Sequence, residues 1–356
     1  MAAGCQESGG PPAHVDSPAS SEPVASASSD VVILTASNDI ERLDVASAAL
    51  RWKTPLGGIR QDGFAAHVMA VAGSGNHVVV LVRGSPSVVV FVDLSTGRVT
   101  ARRELPPGLV YRGVDVGPAS GRVYLFANRD VGPDRGGELG PLSEAVVVVL
   151  DSDLSNVLIS QTVRSTYGFN WRVYRGAVDR DETRILLSYH GPDSTGVDLI
   201  HLNGTHLDNR CATSSAACIP SHGGFAVGSR VMFFATGSSP ILRTDHDGNL
   251  LGDIDTGIEG EHIMELTLDG SQRFLFIAGS CLYSDGLFEV DTVTRTTRIV
   301  DPPRSDTCGE RVMALSDSVL VVIDPHVVAI DRKTGRINHS LKFPTDPAVD
   351  GLVVGR

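Results

Sequence analysis

The sequence predicts an all-β fold, because one short pattern of strands and turns recurs along most of the chain. Residues 261–300 contain four runs of β-branched or aromatic residues separated by polar turns such as Asp269-Gly270. A polar turn follows the third such run at positions 44, 93, 151, 201, 245, 291 and 331, at intervals of 40 to 58 residues. One four-stranded meander cannot bury both of its faces alone. The pattern therefore predicts a seven-bladed β-propeller of four-stranded antiparallel blades.

Residues 1–30 predict a disordered tether, and we expect the propeller to span residues 31–356. The tether contains Ser, Pro, Ala and Gly with almost no large apolar side chains, so burial cannot offset its ordering entropy. Ala3-Gly4-Cys5 resembles the end of a bacterial lipoprotein signal, in which the Cys thiol is acylated. The basic and apolar segments that precede such a site are missing. We expect lipidation at Cys5; the alternative is an accidental match in a tail with an unpaired thiol.

The two ends of the propeller sequence predict how the ring closes. Residues 31–35, 40–44 and 49–53 supply three strands, and a fourth, innermost strand is available at 350–354. One blade closed by N- and C-terminal strands would leave no open sheet edge. The longest interval between turns contains a Gly/Pro-rich stretch at 129–137, which predicts a surface loop.

Charge and hydropathy exclude two kinds of partner. The formal net charge is -12, which disfavours nucleic acid because affinity for its phosphates rests on Lys and Arg. No apolar run is long enough to cross a membrane as a helix, so we expect membrane association only through the lipid anchor. We expect a monomer.

Four of the five cysteines form two predicted disulfides. No zinc-binding spacing occurs among them. Cys281 and Cys308 fall in two connections that emerge on the same face of a propeller, and Cys211 and Cys218 would close a short loop. Such pairs are typical of an oxidising compartment. The alternative is four reduced, buried thiols.

Several stretches resemble a known class of bacterial repeat. Residues 111–116 followed by 121–128, and residues 265–270 followed by 273–276, are similar to the YVTN-type propeller repeat, as are the turns at 93–97 and 331–335. The stretch with Leu43, Asp44 and Trp52 is more similar to the PQQ-like repeat, in which a Trp docks between blades. The resemblance implies the fold and an exported protein used for binding or scaffolding, with some enzymes in the class.

The starts of the inner strands predict a polar ring at one mouth of the central channel. Its side chains are typical of an anion pocket, a metal site or acid–base chemistry. A metal ion held by His67, His222 and His262 is one alternative, and a channel that holds only water is another. The candidate ligand-binding residues are His67, Tyr111, Arg112, Tyr174, Arg175, His222, Glu261, His262, Glu310, Arg311 and Asp350.

The sequence favours a binding function over catalysis. No nucleophile elbow, phosphate-binding loop or dinucleotide motif is present. We expect a non-enzymatic, extracytoplasmic protein of the cell envelope, held there as a lipoprotein, that binds a protein, peptide or small ligand on one loop face without a cofactor. The alternative is an extracytoplasmic lyase or hydrolase that uses His67, His222, His262 and Glu261. A quinone-dependent dehydrogenase is a weaker third reading, since only one stretch carries the Trp signature.

Overall fold

The fold is described from a computed structural model of the chain. The described residues are 30–60, 67–72, 75–132, 142–167, 172–190, 196–209, 219–220, 224–236, 240–258, 263–279, 287–301, 311–314, 319–324, 326–341, 346 and 348–354. The predicted tether, residues 1–30, lies outside them except for Asp30, which belongs to a strand rather than to a tether. All five cysteines also lie outside them. No helical segment in these ranges has the length and hydropathy that a bilayer crossing requires.

The described residues form 29 β-strands in seven antiparallel sheets, numbered here in chain order. Sheet 1 is β29 (Ala348–Val353), β1 (Asp30–Thr35), β2 (Asp39–Asp44) and β3 (Ala49–Pro55). Sheet 2 is β4 (Met69–Val71), β5 (His77–Val82), β6 (Val88–Asp93) and β7 (Val99–Glu104). Sheet 3 is β8 (Val110–Val116), β9 (Val123–Asp130), β10 (Leu142–Leu150) and β11 (Val157–Tyr167).

The remaining sheets follow the same order from the inner to the outer strand. Sheet 4 is β12 (Arg172–Val178), β13 (Arg184–His190), β14 (Gly196–Asn203), β15 (His206–Asn209) and β16 (Ile219–Pro220). Sheet 5 is β17 (Phe225–Val227), β18 (Met232–Ala235), β19 (Ile241–Thr244) and β20 (Leu250–Ile254). Sheet 6 is β21 (Ile263–Leu268), β22 (Phe274–Gly279), β23 (Leu287–Asp291) and β24 (Thr296–Asp301). Sheet 7 is β25 (Arg311–Ala314), β26 (Val319–Asp324), β27 (His326–Asp331) and β28 (Ile337–Leu341).

The predicted β-propeller architecture is confirmed, but the prediction of seven four-stranded blades is wrong. Among the described residues, six sheets have four strands and sheet 4 has five. The cause is the short β15, which pairs only with residues 200–203 of the longer β14. The two-residue strand β16 pairs with Gly196 and Val197, further along the same strand. Two segments thus share the outer position that one strand fills elsewhere.

The predicted closure by the two ends of the chain is present in sheet 1. β29 pairs with β1 in antiparallel register, with Val31 opposite Val353 and Ile33 opposite Gly351. The register shifts at Thr35, where a bulge follows. The innermost strand of sheet 1 therefore comes from the C-terminal end, and the other three come from the N-terminal end.

Hydrophobic side chains pack between each pair of neighbouring sheets around the whole ring. One cluster joins sheets 1, 2 and 3, and five further clusters join sheets 3 and 4, 4 and 5, 5 and 6, 6 and 7, and 7 and 1. Strands buried on both faces are apolar throughout, as in the run of buried valines in β5. Outer strands such as β7 alternate, because one of their faces meets solvent.

Trp52 joins sheet 1 to sheet 2. Its indole Nε1–H donates to the Leu94 carbonyl at 3.0 Å, beside the turn between β6 and β7. Gly97 in that turn has a φ of +73°, and a Cβ there would lie 2.7 Å from the indole ring. Only glycine tolerates this backbone with the ring so close. The contact places an indole between neighbouring sheets, as the resemblance of this stretch implied.

Candidate functional site

Equivalent residues of the inner strands lie at the same height along the central channel. The register of each sheet fixes these heights, because the last residue of an inner strand pairs with the start of the next strand, as Val116 does with Val123 and Leu268 with Leu275. We call the lowest height the aliphatic ring, since every sheet contributes an apolar residue there. The members of the aliphatic ring are Val71, Val116, Val178, Val227, Leu268, Ala314 and Val353.

A second height lies three residues before the aliphatic ring in each inner strand, and we call it the charged tier. Arg175, Glu265 and Asp350 occupy it, with Gly113 as an uncharged member. A one-residue bulge precedes the tier in β8, β12 and β21 and brings these residues into register. The channel thus has charged groups towards one end and aliphatic groups at the other.

Glu265 connects side chains from three different sheets across the channel. Its Oε2 lies 3.2 Å from the Arg175 guanidinium of sheet 4 and 3.4 Å from Nε2 of His67, which precedes β4 in sheet 2. Its Oε1 accepts a hydrogen bond from the Thr267 hydroxyl at 3.3 Å. The guanidinium of Arg175 also lies over the Phe225 ring, 4.6 Å from its centroid. This packing holds the cation against the channel wall.

These three charged or titratable side chains are largely shielded from solvent. The exposed fraction is 17% for the His67 side chain, 14% for Arg175 and 9% for Glu265. Charge–charge contacts in such surroundings are screened less than surface pairs. The trio of His67, Arg175 and Glu265 can therefore hold a polar group of a ligand or transfer a proton.

Two further carboxylates on the inner strands accept hydrogen bonds from backbone amides. Asp350 accepts the N–H groups of Val68 and Met69 at 2.8 Å each, which fastens β29 of sheet 1 to sheet 2. Asp115 of sheet 3 accepts the N–H of Val178 in sheet 4 at 2.8 Å. Burial raises the pKa of Asp115 to about 6, although two backbone hydrogen bonds and the nearby Arg175 act in the opposite direction. Both carboxylates hold neighbouring inner strands together.

A cavity of about 350 Å³ lies in the channel between the charged tier and the aliphatic ring. His67, Arg175, Glu265 and Thr267 form its polar part. The rest of the wall is mainly apolar. It comprises Ala226, Val227, Leu266, Leu268, Val312, Met313, Ala314, Gly351, Leu352 and Val353.

The structure brings some of the sequence-predicted residues together and places others elsewhere. His67 and Arg175 line the cavity, and Asp350 lies at the same height as Arg175. Tyr111 is buried and its hydroxyl donates to the Pro106 carbonyl at 3.1 Å, which holds the segment before β8. Arg112 is the bulged residue of β8 and does not line the cavity.

The other candidates are described only in part or not at all. Tyr174 is the bulged residue of β12, and Arg311 begins β25. His222, Glu261, His262 and Glu310 lie outside the described residues. Two of the three histidines of the predicted metal site, His222 and His262, are therefore not described. Within the ranges that the structure describes, no group of three His, Cys, Asp or Glu side chains is arranged to hold a metal ion.

Sequence reasoning missed the residue at the centre of the network. The predicted ring takes the start of each inner strand as its reference point, and it does not include Glu265. The bulges shift those starts by one residue. Counting back four residues from the Asp269 and Asp179 turns instead pairs Glu265 with Arg175. The turns are the better reference because their Asp side chains fix the hairpins. Asp269 accepts the N–H of Phe274, and Asp179 accepts the N–H of Thr183.

No family model and no curated protein sequence matches the chain. Solved structures do match in fold. A dihydro-haem d1 dehydrogenase, NirN, in complex with DHE is 15% identical with a TM-score of 0.57, over 96% of this chain and 78% of that chain. The periplasmic gluconolactonase PpgL of Pseudomonas aeruginosa is 16% identical with a TM-score of 0.58, over 92% and 99%.

The β-propeller domain of Cps50 (Swd1) from Myceliophteria thermophila is 12% identical with a TM-score of 0.54, over 81% of this chain and 89% of that chain. These identities show the fold alone, since unrelated functions share this architecture. The chain is a β-propeller.

Proposed function

We propose that this β-propeller is a binding protein that holds a small ligand in its central channel. The observation that carries the proposal is the cavity of about 350 Å³, whose wall combines four polar or charged side chains with aliphatic ones. Its size falls in the range of about 300–1,000 Å³ typical of small-molecule sites. Convergent polar groups among apolar side chains are also typical of such sites. A folded protein partner would not fit this space.

A cavity-filling variant tests the proposal. Leu352 lines the cavity and is only half-buried, so Leu352→Trp should fill the space without disturbing a fully buried position. Val99→Trp on the outer strand β7 is the matched control, since Val99 is 43% exposed. We expect calorimetry to detect binding of at least one of three six-carbon probes, hexanamide, hexanoate or hexylamine. Binding should survive in Val99→Trp and be lost in Leu352→Trp. Absence of binding for all three probes, or equal binding by Leu352→Trp, would refute the proposal.

Acid–base catalysis is the second candidate, and one observation favours it. The contact between His67 Nε2 and Glu265 orients an imidazole beside the Arg175 guanidinium. An oriented imidazole with a neighbouring cation is suited to activate water and stabilise an oxyanion. One structure of the same fold is a gluconolactonase. Hydrolysis of gluconolactone above the buffer rate, lost in His67→Ala but kept in the exposed control His206→Ala, would establish this activity.

The cellular setting of the proposed binding protein is the cell envelope, outside the cytoplasm. One support is the resemblance of Ala3-Gly4-Cys5 to the end of a lipoprotein signal. The other is the predicted pairing of Cys211 with Cys218 and of Cys281 with Cys308. Mass spectrometry of exported protein with and without reductant tests the pairs. Two disulfides and a diacylglycerol mass on Cys5 would support the setting, and four free thiols in exported protein would contradict it.

A further inference from the structure

We infer that the ligand of the channel is a neutral amphiphile with a carboxamide head and an aliphatic tail. This inference rests on the proposed function and names the chemical class that the cavity selects. It follows from two features of the wall, namely the pairing of charges at the polar end and the composition of the opposite end.

The polar end presents one cation and one anion side by side. Arg175 and Glu265 lie 3.2 Å apart and are both largely shielded from solvent. A ligand with a net charge would attract one of them and repel the other, while losing its own hydration in a confined space. Burying a charge without a matched partner is costly. A neutral head therefore fits this pair better than a carboxylate or an ammonium group.

A carboxamide matches both members of the pair at once. Its carbonyl oxygen can accept from the guanidinium of Arg175, which is a donor only. Its N–H group can donate to the carboxylate of Glu265, which is an acceptor only when ionised. The imidazole of His67, on the other side of Glu265, supplies a third polar contact. A ketone, ester or ether would accept from Arg175 but would offer Glu265 no donor in addition to Arg175 and Thr267.

The side chains at the opposite end of the cavity are aliphatic, which favours an apolar group there. Val227, Leu268 and Val353 of the aliphatic ring line it, together with Met313 and Leu352 one residue higher. Each methylene buried there should tighten binding about fourfold. The tail therefore points from the charged tier towards the aliphatic ring.

The test compares three probes of six carbons each, hexanamide, hexanoate and hexylamine, at about pH 8, where hexanoate and hexylamine are both ionised. We expect hexanamide to bind at least about tenfold more tightly than either charged probe. Butanamide should bind about 15-fold more weakly than hexanamide, since it lacks two methylenes. A charged probe that binds as tightly as hexanamide would overturn the inference and leave the proposed function intact. No binding of any probe would instead refute the proposed function.

Two substitutions should reverse the preference if the charge pair selects the head. Glu265→Gln leaves Arg175 without its carboxylate and should make hexanoate the tightest of the three probes. Arg175→Gln leaves Glu265 without its cation and should make hexylamine the tightest. Glu104→Gln and Arg98→Gln, both at exposed positions of sheet 2, are the matched controls and should keep the wild-type order. Folded variants that keep the wild-type order would overturn the inference, and the probe order of the wild-type protein decides it where a variant does not fold.

Discussion

Asp350 should contribute more to stability than any exposed carboxylate, because it fastens the closing strand to its neighbour. The residue is 1% exposed. Its Oδ2 accepts the N–H groups of Val68 and Met69, both at 2.8 Å, and its Oδ1 accepts the N–H of Gly351 at 2.8 Å. Hydrogen bonds to a charged group are worth about 1.5–3 kcal/mol each. Asp350→Ala removes two bonds between sheets and leaves buried donors without this acceptor, so we expect a loss of about 3–5 kcal/mol.

Urea unfolding followed by circular dichroism measures this loss as a change in midpoint at constant slope. Asp350→Asn keeps one oxygen for the bonds to sheet 2 and should lose only about 1–2 kcal/mol. Asp181→Ala, at an exposed turn position, is the control and should stay within about 0.5 kcal/mol of wild type. If Asp350→Ala unfolds at the same urea concentration as Asp181→Ala, the carboxylate does not hold the ring closed and the reasoning is refuted.

Three further predictions concern pH and the contacts between sheets. The pKa of Asp115 is raised to about 6 in the folded protein, so the native state binds the proton more tightly than the unfolded chain does. Its contribution to stability should therefore fall as the pH rises from about 4 to about 6, by at most about 3 kcal/mol, a trend that Asp115→Asn should lack in urea titrations at each pH. Gly97→Ala should lower the free energy of unfolding by about 1–3 kcal/mol, because the new Cβ meets the ring of Trp52. The same substitution made in a Trp52→Ala background should cost less, and an equal cost in both backgrounds would rule out a clash with that ring. Arg164→Met leaves the buried Asp198 without the cation that lies 2.6 Å away and should cost about 3–5 kcal/mol, whereas a loss below about 1 kcal/mol would contradict a stabilising pair.

Much of the fold could be predicted because strands and turns are encoded locally. The turns at Asp93 and Asp331 each have a Thr three residues on, and the Asp side chain accepts the Thr N–H and hydroxyl in both. Turns that begin with Asp recur between the third and fourth strands of several sheets, so their spacing predicts the repeat. The closing strand was predictable for a different reason. The apolar run that ends at Val353 had no other partner, and an unpaired inner edge is unfavourable.

The parts that sequence reasoning missed depend on contacts between segments far apart in the chain. Strand β16 pairs with β14 only because β15 is short, and neither segment carries an unusual composition. The role of Glu265 depends on side chains 90 and 198 residues away, in Arg175 and His67. Its height in the channel depends on a bulge, which a single sequence does not mark. A charged residue on an inner strand therefore indicated a site, but not which neighbours complete it.

The pairing of β1 with β29 also makes the ring depend on two segments from opposite ends of the described chain. β29 is the innermost strand of sheet 1 and the last strand in chain order. Without it, the inner edge of β1 would be open. A variant that lacks residues 348–353 should therefore expose a strand edge to which other molecules could add.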